Sequence, residues 1–280
     1  MALIAVLPLV ALLVFVVRAA RYDLDRDARS WAAAYGVILT PTNIDFVRTH
    51  LRTGRRLRFV CSIAGLLLPP LVSRAVDPRS GSSGSFVGLF VGYMVGSVWA
   101  ELSVTRSATD PVRVATLAPR RLEEYLPGRL RWGLWVVAGT TFALSLASLA
   151  IHQPDLPTYS YDGPAAPVIG GAALAIAAAV ELTQRWILRR AQPFVSPDLV
   201  TADDAARSSS IHALAGSGLC CALFLLIAPA IVLANADVQI LRATMPLLAF
   251  ASFIAALISI RYYVYRAWRV RRPVPPLAVG

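Results

Sequence analysis

Two glutamates fall inside otherwise apolar stretches of this chain, and they are its best candidates for chemistry. They stand in similar triplets, Glu101-Leu102-Ser103 and Glu181-Leu182-Thr183. An ionisable group within a membrane-spanning stretch is costly, and it points to proton or cation coupling or to a basic partner. A structural account competes with that reading. Arg106 follows Glu101 by five residues, and Arg185 follows Glu181 by four. A Glu–Arg pair at i,i+4 on a helix satisfies the carboxylate without further function. Either way, both carboxylates are expected to turn into a helix bundle or toward arginine, away from lipid.

The other candidate groups lack companions. Asp203-Asp204 is similar to the acidic pairs that carry magnesium diphosphate in membrane prenyltransferases, but the second acidic motif is missing and Arg207 stands close by. A solvated interfacial helix, with Asp203, Asp204 and Arg207 available to dock a partner, is the expected arrangement. Asp23, Asp25 and Asp27 open like an EF-hand loop, yet its glycine and glutamate positions hold Ala28 and Ala34, so calcium binding is not expected. These acids should balance Arg21, Arg26 and Arg29 on a solvated helix face. His50, His152 and His212 are scattered, with no pair at ligand spacing. Cys61, Cys220 and Cys221 form no C-x-x-C and lie in or beside apolar stretches. No metal site, disulfide framework or cofactor is therefore expected. Gly216-Ser217-Gly218 lacks the spacing of a nucleophile elbow. All 27 basic residues are arginine, so neither a P-loop lysine nor Schiff-base chemistry is available. No catalytic residue is assigned, and the chain reads more as a non-enzyme than as an enzyme.

The elements that must position these groups are apolar. Seven stretches, 2–17, 59–76, 86–105, 132–151, 167–186, 211–234 and 243–263, approach the ~20 residues a helix needs to cross a bilayer, and mean hydropathy is +0.61. The expected fold is an all-α polytopic bundle of about seven spans. The first stretch has no positive flank before it and a poor cleavage site after it, so a retained span fits better than a signal peptide. Arginine sets the orientation. The connections after the first, third, fifth and seventh stretches, counted with Arg185 and Arg261 at the stretch ends that meet them, hold 24 arginines, and the remaining three are Arg74, Arg79 and Arg242. By the positive-inside rule the amino terminus faces out and the carboxyl terminus lies in the cytoplasm, in a multi-pass plasma-membrane protein. The net charge of +11 is thus a topology signal, and no nucleic-acid partner is expected.

A repeat organises the chain. Pro41, Pro119 and Pro197 are spaced by 78 residues, each before a candidate interfacial helix (42–52, 120–130 and 198–208) and two spans. Thr40 and Ser196 are candidate N-caps. The division is a leading span and cytoplasmic segment over 1–40, repeats over 41–118, 119–196 and 197–274, and a tail over 275–280. The units run in parallel topology, not the inverted topology common in secondary transporters. The third unit has Leu257-Ile258-Ser259 where the others carry glutamate. Gly88, Gly92 and Gly96 form one small-residue stripe, and Gly171, Ala175 and Ala179 form another. Such stripes let helices approach closely, within the bundle or across a homo-oligomer or partner seam. Pro69-Pro70 should kink or break the second span.

The segments RRLEEYLP at 120–127 and ADDAARSSSIHAL at 202–214 resemble parts of multi-spanning membrane proteins of high-GC Gram-positive bacteria that have no known activity. That resemblance implies a similar topology and carries over no functional residue. Three readings of function follow. The first is a non-catalytic subunit or companion of a membrane transport complex with a separate ATPase. The second is a small secondary transporter coupled through Glu101 and Glu181. The third is a membrane-embedded transferase using Asp203 and Asp204.

Overall fold

The computed structural model describes residues 23–76, 85–107, 113–114, 121–150, 165–190, 192–193, 196–236 and 238–265. The first apolar stretch, His152 and Pro119 lie outside them. Among the described residues the chain is helical: α1 (Leu24–Tyr35), α2 (Ile44–Val76), α3 (Ser85–Ser107), α4 (Leu122–Tyr125), α5 (Gly128–Ala150), α6 (Ala165–Arg189), α7 (Pro197–Ala234) and α8 (Gln239–Tyr265). Two two-residue strands, β1 (Arg113–Val114) and β2 (Gln192–Pro193), pair antiparallel and join the connection after α3 to the one after α6. Val114 pairs with Gln192, its counterpart at the 78-residue spacing. Among the described residues, four stretches are long and apolar enough to cross a membrane: Arg131–Leu149, Pro167–Arg189, Pro197–Ala234 and Gln239–Ser259. That is compatible with an integral membrane protein.

Two expected boundaries do not exist. The candidate interfacial helix 42–52 and the apolar stretch 59–76 form one helix of 33 residues, α2. The segment 198–208 and the stretch 211–234 likewise form one helix of 38 residues, α7. At 1.5 Å per residue these reach about 50 Å and 57 Å, well beyond ~30 Å of hydrocarbon. The arginine-rich stretch between 52 and 58 contains no proline, and arginine is a good helix former, so nothing stops the helix there. The corresponding segment at 120–131 does break. Leu126 is extended (φ −128°, ψ 119°) between α4 and α5, because Pro127 disfavours helical geometry in the residue before it. Nor do Pro69-Pro70 end α2, whose helix continues to Val76; Pro229 and Pro246 are similarly accommodated within α7 and α8.

Helix ends follow local chemistry. Ser196 caps α7, its hydroxyl accepting from Leu199 N–H at 3.3 Å, with Pro197 as first helical residue. Thr40 does not cap through its side chain. Pro41 sits in a turn ahead of Ile44, and the Asn43 side chain accepts from Thr40 N–H at 2.9 Å and donates to Ile38 O at 2.9 Å. Asp23 caps α1, accepting from Asp25 and Arg26 N–H, and Gly36 ends it at φ 71°, where a side chain would be strained.

α2 and α3 are antiparallel and in backbone contact. A Cβ added at Gly65, Gly92 or Gly96 would lie 2.0 Å from Gly88 O, 2.1 Å from Cys61 O and 2.6 Å from Leu57 O. α5 and α6 form a second hairpin, α7 and α8 a third. The centre is α7, which touches α2, α3, α5, α6 and α8. Its run of Ala, Ser, Gly and Cys between 202 and 222 is buried on nearly every side. Small residues all round a helix allow neighbours to approach from all sides. α8 is the opposite case: Ile240, Leu247, Phe250 and Ile258 point outward, as large apolar residues do toward lipid.

Candidate functional site

The candidate acids gather where the arginine-rich ends of the helices meet, in two clusters. Glu181, on α6, sits 12 % exposed beneath the start of α5. Arg131 donates to it at 2.5 Å, the Trp135 indole N–H at 2.6 Å, and Arg185 from one turn along the same helix. Arg131 also reaches Glu123 at 3.3 Å. The expected i,i+4 Glu181–Arg185 pair is present. Arg131 and Trp135 join it because the α5–α6 hairpin sets them opposite.

The second cluster is deeper and ties the three hairpins together. Glu101 on α3 is 2 % exposed; it accepts from the Ser210 hydroxyl on α7, and Arg190 lies 3.5 Å from its other oxygen. Arg190, just past α6, also donates to Asp203 at 2.7 Å. Asp203 accepts in addition from Arg207 Nε at 2.7 Å, one turn along α7. The Arg207 guanidinium then donates to Ile187 O and Arg190 O at 2.8 Å each, which caps the carbonyls ending α6. The Arg106 side chain lies outside the described residues.

These positions correct one expectation. Asp203 is 1 % exposed and Arg207 fully buried, so neither stands on a solvated face, and a partner could not reach them on the folded chain. Asp204 is partly buried and accepts from Tyr125 of α4 at 3.3 Å. The three aspartates at the start of α1 also differ from expectation. Asp23 is the cap, while Asp25 and Asp27 pair with Arg48 (2.6 Å) and Arg55 (2.7 Å) of α2, not with arginines of their own helix.

The two small-residue stripes part company. Gly88, Gly92 and Gly96 line the α2–α3 contact, whereas a Cβ on Gly171 would meet nothing within 4 Å, and Ala175 and Ala179 are exposed. The Glu-Leu-hydroxyl triplets do share a pattern. Leu102 and Leu182 face outward, as does Ile258 of the Leu257-Ile258-Ser259 triplet. Ser103, Thr183 and Ser259 each donate back to their own helix, at Trp99 O, Ala179 O and Ala256 O.

Sequence reasoning missed Arg190, Ser210, Trp135 and Arg131 as partners, and it missed the surroundings of His50. The Asp203–Arg207 spacing was a legible i,i+4 signal; the others lie far from their partners in sequence. His50 is buried against the rings of Trp31 and Phe46, with centroids at 6.2 and 6.4 Å. Burial pushes its imidazole below the ordinary 6.5; Glu101 and Asp203 oppose this, while Arg58 and Arg190 add to it. The unfolded chain therefore binds this proton more readily than the folded one. Stability from neutral His50 is complete above about pH 6.5 and declines as pH falls below it, by at most ~1.4 kcal/mol per unit. Thermal melts between pH 8 and 5 should show a shallower acid decline for His50→Gln than for the wild type. Equal slopes would remove His50 from the account.

Among the described residues no three His, Cys, Asp or Glu side chains converge as a metal site would require. The candidate carboxylates Glu101, Glu181, Asp203 and Asp204 are engaged by arginine, serine, tryptophan or tyrosine within the chain. No family model matches the chain, and no curated protein or solved structure is detectably similar to it.

Proposed function

We propose that the chain is a seven-span plasma-membrane protein, amino terminus outside, built of three 78-residue hairpin units. In this reading it serves as a non-catalytic subunit or companion of a membrane transport complex whose ATPase is a separate protein. The observation that carries it is the polar extension at the arginine-rich end. α2 and α7 run beyond hydrocarbon length and are braced by α1 and the β1–β2 pair, which suits a platform for a soluble partner better than a surface-lying helix. The saturation of Glu101 and Glu181 by internal partners favours this reading over proton coupling. Purification from native membranes in mild detergent is expected to retain an ATPase subunit. Substrate transport by the isolated chain in proteoliposomes would replace this reading with that of a secondary transporter.

The orientation has its own test. In a cysteine-less background, Ser83→Cys and Ser160→Cys are expected to react with an impermeant maleimide on intact cells, and Thr201→Cys only after lysis. Labelling of Thr201→Cys in intact cells would reverse the topology.

Glu181→Gln separates structure from coupling. It removes the charge from three donor contacts, so a loss of about 1–3 kcal/mol is expected in detergent melts, with any activity of the complex retained. A variant of wild-type stability that has lost proton dependence would show coupling instead.

A further inference from the structure

We infer that Arg52 and Arg56 of α2 hold the headgroup of an anionic phospholipid, whose acyl chains lie along the outward face of the same helix. The inference rests on the membrane reading above. Arg52 and Arg56 are both exposed and one turn apart. At 100° per residue, Val60 and Leu67 fall within about 80° of them around the helix. Val60 is 52 % and Leu67 51 % exposed. One stripe of α2 therefore changes from outward-facing apolar side chains to two outward-facing guanidinium groups within a single turn, at the expected end of the hydrocarbon. Outward-facing Trp99 (55 %) and Trp132 (65 %) lie toward the same end of α3 and α5, where tryptophan marks the headgroup level of a bilayer.

The local charge is unbalanced in favour of an anion. The nearby acids are already engaged: Asp25 and Asp45 with Arg48, and Asp27 with Arg55. Among the described residues no carboxylate pairs with Arg52 or Arg56. A guanidinium presents a planar fork of donors that matches phosphate oxygens, and its aliphatic stem can lie along the apolar face while the head reaches the interface. Two such groups at i,i+4 spacing suit one phosphodiester. A zwitterionic lipid would bring a cationic amine beside them.

The test uses the full chain. Flotation with vesicles first establishes insertion, so that failure of the membrane reading appears as a chain that does not float. Native mass spectrometry of the purified protein then compares retention of phosphatidylglycerol with that of phosphatidylcholine. Phosphatidylglycerol is expected to be retained preferentially. R52Q/R56Q should reduce that preference on the order of tenfold with an unchanged melting temperature, and R52K/R56K should keep part of it. R26Q/R29Q, which alters exposed arginines on α1, should leave it intact. Excess inorganic phosphate should not displace the lipid. The inference is overturned if the floated protein shows no preference, if R26Q/R29Q lowers it as much as R52Q/R56Q does, or if phosphate alone competes the lipid away.

Discussion

Replacing Arg207 by alanine is expected to destabilise the protein by about 3–5 kcal/mol, the usual cost of removing one partner from a buried ion pair. The side chain is fully buried and donates at 2.7–2.8 Å to Asp203 and to the carbonyls of Ile187 and Arg190. Alanine leaves Asp203 with Arg190 alone of the two arginines that hold it, and it uncaps the end of α6. Arg190 is also the residue that reaches Glu101 on α3, so the loss should loosen all three hairpins together. Arg207→Lys should recover part of the loss, because a compact ammonium keeps the charge but not the fork geometry. Thermal unfolding in detergent, followed by intrinsic fluorescence and by monodispersity on gel filtration, reads the effect. An Arg207→Ala protein within ~0.5 kcal/mol of wild type, the range of an ordinary surface change, would show that the network is not what joins the hairpins.

The second large effect is expected at Gly92. A Cβ there would sit 2.1 Å from the Cys61 carbonyl oxygen. The obstacle is backbone, so no side-chain rotation relieves it and α2 and α3 must separate. Gly92→Ala should cost about 1–3 kcal/mol or more, as overpacking does, and should leave the small-residue seam open. Gly139→Ala is the matched control on α5, where an added Cβ meets nothing within 4 Å. It should be neutral or stabilising by up to ~1 kcal/mol, since alanine is the better helix former. Equal melting temperatures for the two variants would mean that the close α2–α3 approach does not hold.

Much of this architecture was legible in the residues. Apolar length predicted α3, α5, α6, α8 and the apolar parts of α2 and α7, the serine before Pro197 predicted the start of α7, and four-residue spacing predicted the Glu181–Arg185 pair. These are local features: a cap, an i,i+4 pair and an apolar run act within one or two turns, so spacing along the chain is spacing in space. The placement of arginine along the chain also yields the asymmetry behind the proposed orientation.

Tertiary structure decided the rest. The stripes Gly88-Gly92-Gly96 and Gly171-Ala175-Ala179 look alike in sequence, yet one is buried in a backbone contact and the other faces outward. Periodicity defines a face and does not say which neighbour, if any, covers it. Asp203 and Arg207 read as a solvated pair, because their burial comes from α6 packing over them. Glu101 finds Ser210, 109 residues away, and Arg190, 89 residues away. A buried charge takes whichever partner the fold brings within hydrogen-bond reach, since leaving it unpaired in a low-dielectric interior costs more than any local preference along the chain can offset.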